Sequence, residues 1–373
     1  MPVKVGAPGA ITPPVDLVIK TAQRNEQKGY DSLWYPDHWM AWHPESIWTE
    51  DITPIAKLQP NPHVYLDPVA TMAAVGVVTE RVQLGTCVTE PIRRHPAMLA
   101  NEWLTLDHLT KGRVILGLGS GEAENNEPYG IPFEKTVSRF EEAITIIKLL
   151  WANDEPLDFD GQFWTMRDAV NGMQPYTPGK PPPIWTGAHG PRMCRITGRL
   201  ADGWLPSLLT VDEYKEKLGI IRESAAKAGR DLSGFEAGMW NYAIVSPDHD
   251  ECHRILEATL LKAYMLVLGA EAYEKRGMTH PFGPDFHGLS DYIPTRYGRD
   301  ETLKAIDEVP FELIHELMPH GTPDELVAIG REYEAAGAQH IMLWNVTFLG
   351  DFSKVGESFH LMDDVLAGLK GGA

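Results

Sequence analysis

The chain reads as an α/β protein, a closed (β/α)8 barrel whose C-terminal mouth is enlarged by insertions. Eight short apolar runs alternate with amphipathic, helix-like stretches over most of the 373 residues. The runs are almost continuously apolar, as strands buried on both faces must be. Several end abruptly in ionisable, aromatic or glycine residues, as barrel strands do where they open into active-site loops.

Val3–Ala7 is the first strand, followed by a helical pattern over Asp16–Lys28 with Pro14 at its start and Gly29 past its end. The second, Ser32–Tyr35, runs straight into Pro36-Asp37-His38-Trp39-Met40-Ala41-Trp42. A helix over Pro68–Val78 leads to Val82–Thr86, which ends in Gly85-Thr86-Cys87-Val88-Thr89-Glu90. The proline-led helix Pro96–Leu109 precedes Val114–Leu118, which ends in Gly119-Ser120-Gly121-Glu122-Ala123-Glu124-Asn125. After a helix over Val137–Trp151, the fifth strand Ile184–Gly187 passes through Ala188-His189-Gly190 into the helix Pro191–Leu200. Gly203–Pro206, the helix Val211–Ala228 and Phe235–Ala243 come next. The helix Asp324–Ala336, the strand Gln339–Asn345 and the helix Phe352–Leu369 close the series.

Three segments exceed a minimal barrel. Residues 43–66 are polar and proline-rich; residues 154–183 show the alternation of a small hairpin, in Leu157–Phe159 and Gln162–Met166. Residues 251–319 carry an expected helix over Arg254–Leu268 and then the loop His280–Gly288. Long loops on a compact domain commonly serve as lids or binding loops, so these are expected to wall a pocket within one domain spanning 1–373.

A formal net charge of −19 with no basic stripe argues against a nucleic-acid partner. It still admits a small anionic cofactor, because helix amides can hold a phosphate. Three widely separated cysteines, Cys87, Cys194 and Cys252, form neither a disulfide framework nor a zinc spacing, which favours a reduced, cytoplasmic setting. No secretory leader pattern and no run of about 18 apolar residues is present, so no membrane span is expected. His280, Asp285 and His287 lack a metal-binding spacing, and no metal site is expected.

The chemistry gathers at strand ends. His38 beside Asp37 is an imidazole whose proton a neighbouring carboxylate could hold near neutral pH. The glycine run at Gly117–Gly121 fails the dinucleotide spacing and is followed by acids, so it suits a flat ring lying on bare backbone better than a pyrophosphate cradle. Glu122 and Asn125 would turn towards that ring. Gly190-Pro191 opens a helix whose free amides suit a phosphate oxygen. Plainer readings apply elsewhere: Glu124 and Glu127 as solvated acids, Cys87 as packing, and Arg93-Arg94-His95 as an exposed charged cluster.

Asp37-His38 with Trp42, the Gly119–Glu122 run with Asn125, and Ala188-His189-Gly190-Pro191 together resemble the bacterial luciferase-like superfamily, in its branch using the deazaflavin coenzyme F-420. The loop His280–Pro294 and Asn126–Gly130 resemble, more narrowly, the phthiodiolone-type ketoreductases. The resemblance implies a non-prolyl cis peptide at Cys87–Val88. It implies that His38 faces the reactive edge of the cofactor, that Trp42 walls the pocket and stabilises charge, and that Glu122 is the second proton-handling group. Asp37, Ser120 and Asn125 would contact the ring, with Thr86, Cys87 and Val88 against its far face. Ala188, His189 and Gly190 would hold the phosphate. Trp39, Trp240 and Phe282 would meet the substrate, with Trp39 or Trp42 as an indole donor.

The related glucose-6-phosphate dehydrogenases place an acid where this chain has Ile11, Thr12 and Pro13, and a lysine where it has Leu205–Thr210, so a phosphosugar is disfavoured. The expected activity is hydride transfer between F-420 and an apolar ketone or secondary alcohol. The alternatives are an FMN-dependent monooxygenase, an F-420 enzyme with another donor such as a sugar phosphate, and a non-catalytic cofactor carrier. A homodimer is expected by analogy with the fold.

Overall fold

Eight parallel strands close on themselves in the structure, a computed structural model that describes residues 3–371. In chain order the strands are β1 (Lys4–Pro8), β2 (Ser32–Tyr35), β3 (Gln83–Thr86), β4 (Val114–Leu118), β5 (Leu157–Asp160), β6 (Thr165–Ala169), β7 (Ile184–Thr186), β8 (Gly203–Trp204), β9 (Glu236–Val245), β10 (His320–Gly321) and β11 (His340–Asn345). The ring runs β1-β2-β3-β4-β7-β8-β9-β11 and returns to β1. All eight expected barrel strands are present, to within two residues at either end. The expected hairpin is β5 paired antiparallel with β6. The two-residue β10 adds parallel to the far end of β9, opposite Ile244 and Val245.

Large residues on some strands face glycines on others, and this fills the barrel without overpacking. Trp34 on β2 and Trp185 on β7 meet inside at 5.2 Å between ring centroids. A Cβ at Gly85 would lie 2.5 Å from the Trp34 ring, and one at Gly203 2.5 Å from Trp185. At the N-terminal end, first residues of four strands close the floor with a polar relay. Trp34 Nε1 donates to Ser32 Oγ (2.7 Å), Ser32 Oγ meets His340 Nε2 (2.6 Å), and His340 Nδ1 meets Glu236 (2.9 Å). Glu236 also accepts from Lys4 Nζ at 2.7 Å. With the indole donating to Ser32, the hydroxyl donates onward and His340 presents Nδ1–H to the carboxylate; every buried polar atom of the relay is matched.

A second apolar layer lies between the outer strand faces and the surrounding helices. Leu99, Trp103, Ile144 and Ile147 are fully buried there, on the helices Pro96–Thr110 and Thr136–Ala152. Helix ends follow their chemistry: Thr210 and Thr322 form capping boxes with Glu213 and Glu325, and Gly29, Gly229 and Gly337 all have positive φ.

One expected helix is corrected. Arg254–Leu268 is instead the end of a helix over His249–Leu256, a short helix over Thr259–Ala263 and a 3-10 turn over Tyr264–Val267. Ala258 is extended at the break, and residues Ala263–Val267 are buried all round, so no solvent face sustains one amphipathic helix. The break lets Tyr264 stack on Tyr242 of β9 at 4.3 Å.

The first and third insertions interlock over the mouth. His43 Nε2 meets the Leu260 carbonyl at 2.8 Å, Tyr292 donates to the Trp42 carbonyl at 2.9 Å, and Arg299 reaches the Ser46 carbonyl at 3.2 Å and Thr49 Oγ1 at 2.7 Å. Among the described residues no helix is long and apolar enough to cross a membrane.

Candidate active site

A cavity of about 1080 Å³ opens at the C-terminal ends of the strands. The ends of β2, β3, β4 and β7 contribute His38, Cys87, Val88, Ser120, Glu122, Asn125, His189 and Gly190, and β9 contributes Trp240 and Tyr242. Its far end extends between the first and last helices, past Thr21, Arg24, Phe359 and Met362.

Val88 forms the ledge of this cavity. The Cys87–Val88 peptide is cis, as the resemblance implied. A Cβ on Gly119 would lie 2.6 Å from Val88 Cγ2, and one on Gly187 3.3 Å from Val88 Cγ1. One step back, a Cβ on Gly117 would lie 1.7 Å from the Thr86 carbonyl oxygen. The glycines of the fourth strand end are therefore required by close approach of β3, and they leave bare backbone beside the cavity.

His38 and Glu122 converge although they are far apart in sequence. His38 Nδ1 lies 3.1 Å from the Met40 carbonyl oxygen, 3.5 Å from Glu122 and 3.8 Å from Glu124. Those three oxygens accept from Nδ1 when it carries a hydrogen, whereas Asn125 Nδ2, also 3.1 Å away, donates to it when it does not; in either state Nε2 has no protein partner and lies on the cavity side. Asn125 orders the group. Its Oδ1 accepts from the backbone N–H groups of Trp39 (2.7 Å) and Met40 (3.2 Å), so its Nδ2 faces Glu122 at 3.3 Å and Glu124 at 3.2 Å.

Glu124, read from sequence as a solvated acid, is fully buried. Burial, then the charge of Glu122 beside it and a hydrogen bond with that side chain, push its carboxyl well above the ordinary range and favour its protonated form. Trp42 is also reassigned. Its indole N–H points to Glu124 (3.1 Å) and Glu122 (3.4 Å), so it orders the acid pair and cannot be the donor to a substrate oxygen.

Asp37 is corrected as the partner of His38. Its side chain is 2% exposed and is held by Arg94 Nε (3.1 Å), Arg93 Nη1 (3.5 Å) and Thr89 Oγ1 (2.6 Å). Burial alone would raise this carboxyl, but the two guanidinium charges and the hydrogen bonds outweigh it and hold it below the usual carboxylate range. The Arg93-Arg94 pair is thus a buried clamp joining the ends of β2 and β3, not an exposed cluster; Arg93 also meets Glu90 at 2.6 Å.

Four further expected positions lie off the cavity. Thr86 Oγ1 donates to the Gly117 carbonyl inside the barrel wall, and the Ala188 carbonyl accepts from Trp204 Nε1. Trp39 is 44% exposed and packs between Tyr129 and Arg93. Phe282 belongs to an aromatic stack with Tyr297 (4.5 Å) and Phe286 (5.3 Å). Cys87 is buried, and burial pushes its thiol up, which suits packing and not nucleophilic attack.

His189 sits at the mouth with Nε2 on the Ser207 carbonyl at 3.0 Å. Gly190 precedes the helix Pro191–Leu200 with no side-chain cap, so its first amides stay free. Lys217, which sequence reading passed over, brings Nζ to 2.8 Å from the His189 carbonyl. Tyr65 and Tyr264 were likewise missed as lining residues. Both reach the cavity from loops folded back over the mouth, which no local pattern displays.

Comparison with known proteins places this geometry. A family model described as luciferase-like monooxygenase matches residues 2–340. The phthiodiolone/phenolphthiodiolone dimycocerosates ketoreductase of Mycobacterium tuberculosis is 37% identical over 321 residues, 85% of this chain and 84% of that protein. The F420-dependent glucose-6-phosphate dehydrogenase of Beutenbergia cavernae is 34% identical over 76% of this chain and 77% of its own. Among solved structures, an F420-dependent secondary alcohol dehydrogenase in complex with an F420-acetone adduct superposes with a TM-score of 0.74 at 23% identity, covering 99% of each chain. The chain belongs to the luciferase-like monooxygenase family and is an oxidoreductase built on that family's barrel.

Proposed function

We propose that this protein uses coenzyme F-420 to move a hydride between the deazaflavin and an apolar ketone or secondary alcohol. The carrying observation is the pairing of a free His38 Nε2 with a glycine-flanked ledge at Val88 in one cavity. The names of the sequence relatives support the cofactor and the reaction class.

The residues present fit such a group. Bare backbone at Gly119 and Gly187 leaves room for a flat ring beside Val88, and the free amides after Gly190, with Lys217 near, suit its phosphate. At about 1080 Å³ the cavity exceeds the roughly 300–1,000 Å³ usual for one small molecule, leaving space for a second reactant. When bound, reduced deazaflavin supplies a hydride and not one-electron oxygen chemistry.

This chain's own residues handle the proton. Hydride arrival at a carbonyl carbon builds charge on its oxygen, and His38 Nε2–H donates to that oxygen. The donating form is the imidazolium: Glu122 and the Met40 carbonyl hold its Nδ1–H and keep the ring aimed at the cavity, and loss of the Nε2 proton to the substrate oxygen leaves the neutral ring. In the reverse direction Nε2 accepts the alcohol proton. Trp240, Tyr242 and Tyr264 give the substrate side an aromatic wall. The stretch Leu205–Thr210 carries no cation to neutralise a phosphosugar.

The test is fluorescence titration of the protein with F-420 and with FMN, followed by turnover on short apolar ketones, secondary alcohols and glucose 6-phosphate. F-420 binding and turnover of the apolar pair are expected. His38→Ala should lower kcat by about 10²–10⁴-fold while F-420 affinity is kept. Selective FMN binding with oxygen-dependent turnover would overturn the cofactor assignment, and full activity in His38→Ala would overturn the acid.

A further inference from the structure

Four histidines gather where the two ends of the third insertion meet, away from the cavity. His249 and His253 stand one turn apart on the helix His249–Leu256, His315 lies on the helix Phe311–Leu317, and His320 begins β10. Ring centroids are 4.7 Å apart for His249–His253, 5.3 Å for His253–His320 and 4.5 Å for His315–His320. One ring nitrogen from each of His249, His253 and His320 lies within 4.8 Å of the other two. None of the four lines the active-site cavity.

The hydrogen bonds around the cluster point its lone pairs inward. His320 Nδ1 meets the Met318 carbonyl at 2.8 Å, so it carries a hydrogen and leaves Nε2 as the lone-pair atom. His249 Nδ1 meets Glu325 at 3.0 Å, with the same consequence. His253 Nε2 is buried with no hydrogen-bond partner. A metal-ligating histidine characteristically donates its other N–H to a carboxylate or a backbone carbonyl, and here one histidine does each. Two histidines at i and i+4 on one helix face are a recurrent zinc-binding arrangement.

We infer that His249, His253 and His320 bind a divalent transition-metal ion of the zinc class through Nε2, with His315 or water as the fourth ligand. Such an ion suits imidazole donors and a tetrahedral set. It would tie the start of the third insertion to the segment that returns the chain to the barrel, and so steady the cap over the mouth without touching substrate.

The experiment uses the untagged full chain, stripped with a chelator and titrated with Co2+ for visible d–d bands and with Zn2+ for stoichiometry and thermal shift. One ion per chain is expected, with a raised melting temperature. His249→Ala and His253→Gln, chosen because His320 is buried and its loss could disturb folding, should each abolish both signals. Glu325→Gln should weaken binding by about 10–100-fold. His38→Ala should leave binding intact; it removes one member of His38, Glu122 and Glu124, the other cluster able to hold an ion among the described residues. The proposal is overturned by absence of saturable binding, by binding that survives His249→Ala and His253→Gln in chains folded by circular dichroism, or by binding lost in His38→Ala.

Discussion

At Glu124 the surroundings of one carboxyl decide how tightly it holds its proton. Its folded-state proton affinity is raised by burial and by Glu122, so the proton it binds stabilises the fold. That contribution is complete below the ordinary carboxylate value and is lost as pH rises through the raised folded value. Glu124→Gln keeps an oxygen for the Trp42 and Asn125 donors but cannot ionise. The wild-type melting temperature should therefore fall relative to Glu124→Gln as pH is raised from mildly acidic to alkaline. Parallel curves for the two chains would contradict the raised proton affinity. Adjacent acids in sequence gave no sign of this, because burial separates Glu124 from the exposed Glu127 only once the fourth strand end is folded against Trp42.

Strand ends are the elements that set the site, and the contact between β3 and β4 is the tightest of them. Val88 wedges against Gly119, where even a methyl group has no room. Gly119→Ala should cost about 1–3 kcal/mol in urea unfolding, the usual penalty for overpacking, and should weaken F-420 binding. Because Val88 Cγ2 is the atom in the way, Val88→Ala in the same chain should recover most of the lost stability. Failure of that rescue would show that the strain lies in the backbone instead. The glycines were visible as a motif in the sequence, but the reason for them, a neighbouring strand's valine, belongs to the pairing of β3 with β4.

Over the whole molecule, the buried Asp37-Arg93-Arg94 clamp joins two strand ends to the helix Pro96–Thr110, through Glu102, and to Asp67 at the head of the preceding helix. Removing one partner of a buried ion pair typically costs about 3–5 kcal/mol. Asp37→Asn should fall near about 3 kcal/mol in urea unfolding at neutral pH, since each arginine keeps another carboxylate. The Asp37 carboxyl is held low in the folded state, so its stabilisation is present above the unfolded value of about 3.9 and is lost as pH falls through the folded one. The gap between wild type and variant should narrow as pH falls below the ordinary aspartate value, and a constant gap would exclude the charge as its source.

The sequence by itself determined the barrel. Strand and helix periods are local, apolar runs buried on both faces read the same in any context, and caps such as Gly29 and Thr322 act on their own helix ends. It also marked His38 and Glu122, because strand ends at a mouth betray themselves by abrupt chemistry. Only the tertiary structure decided which groups face each other: that Asp37 belongs to two arginines and not to His38, that Trp42 serves the acids, that Trp39 and Phe282 lie outside the cavity, and that four histidines meet on the cap. Pairings of that kind depend on strand register and on loops folding back across long stretches of chain, and no local pattern encodes either one.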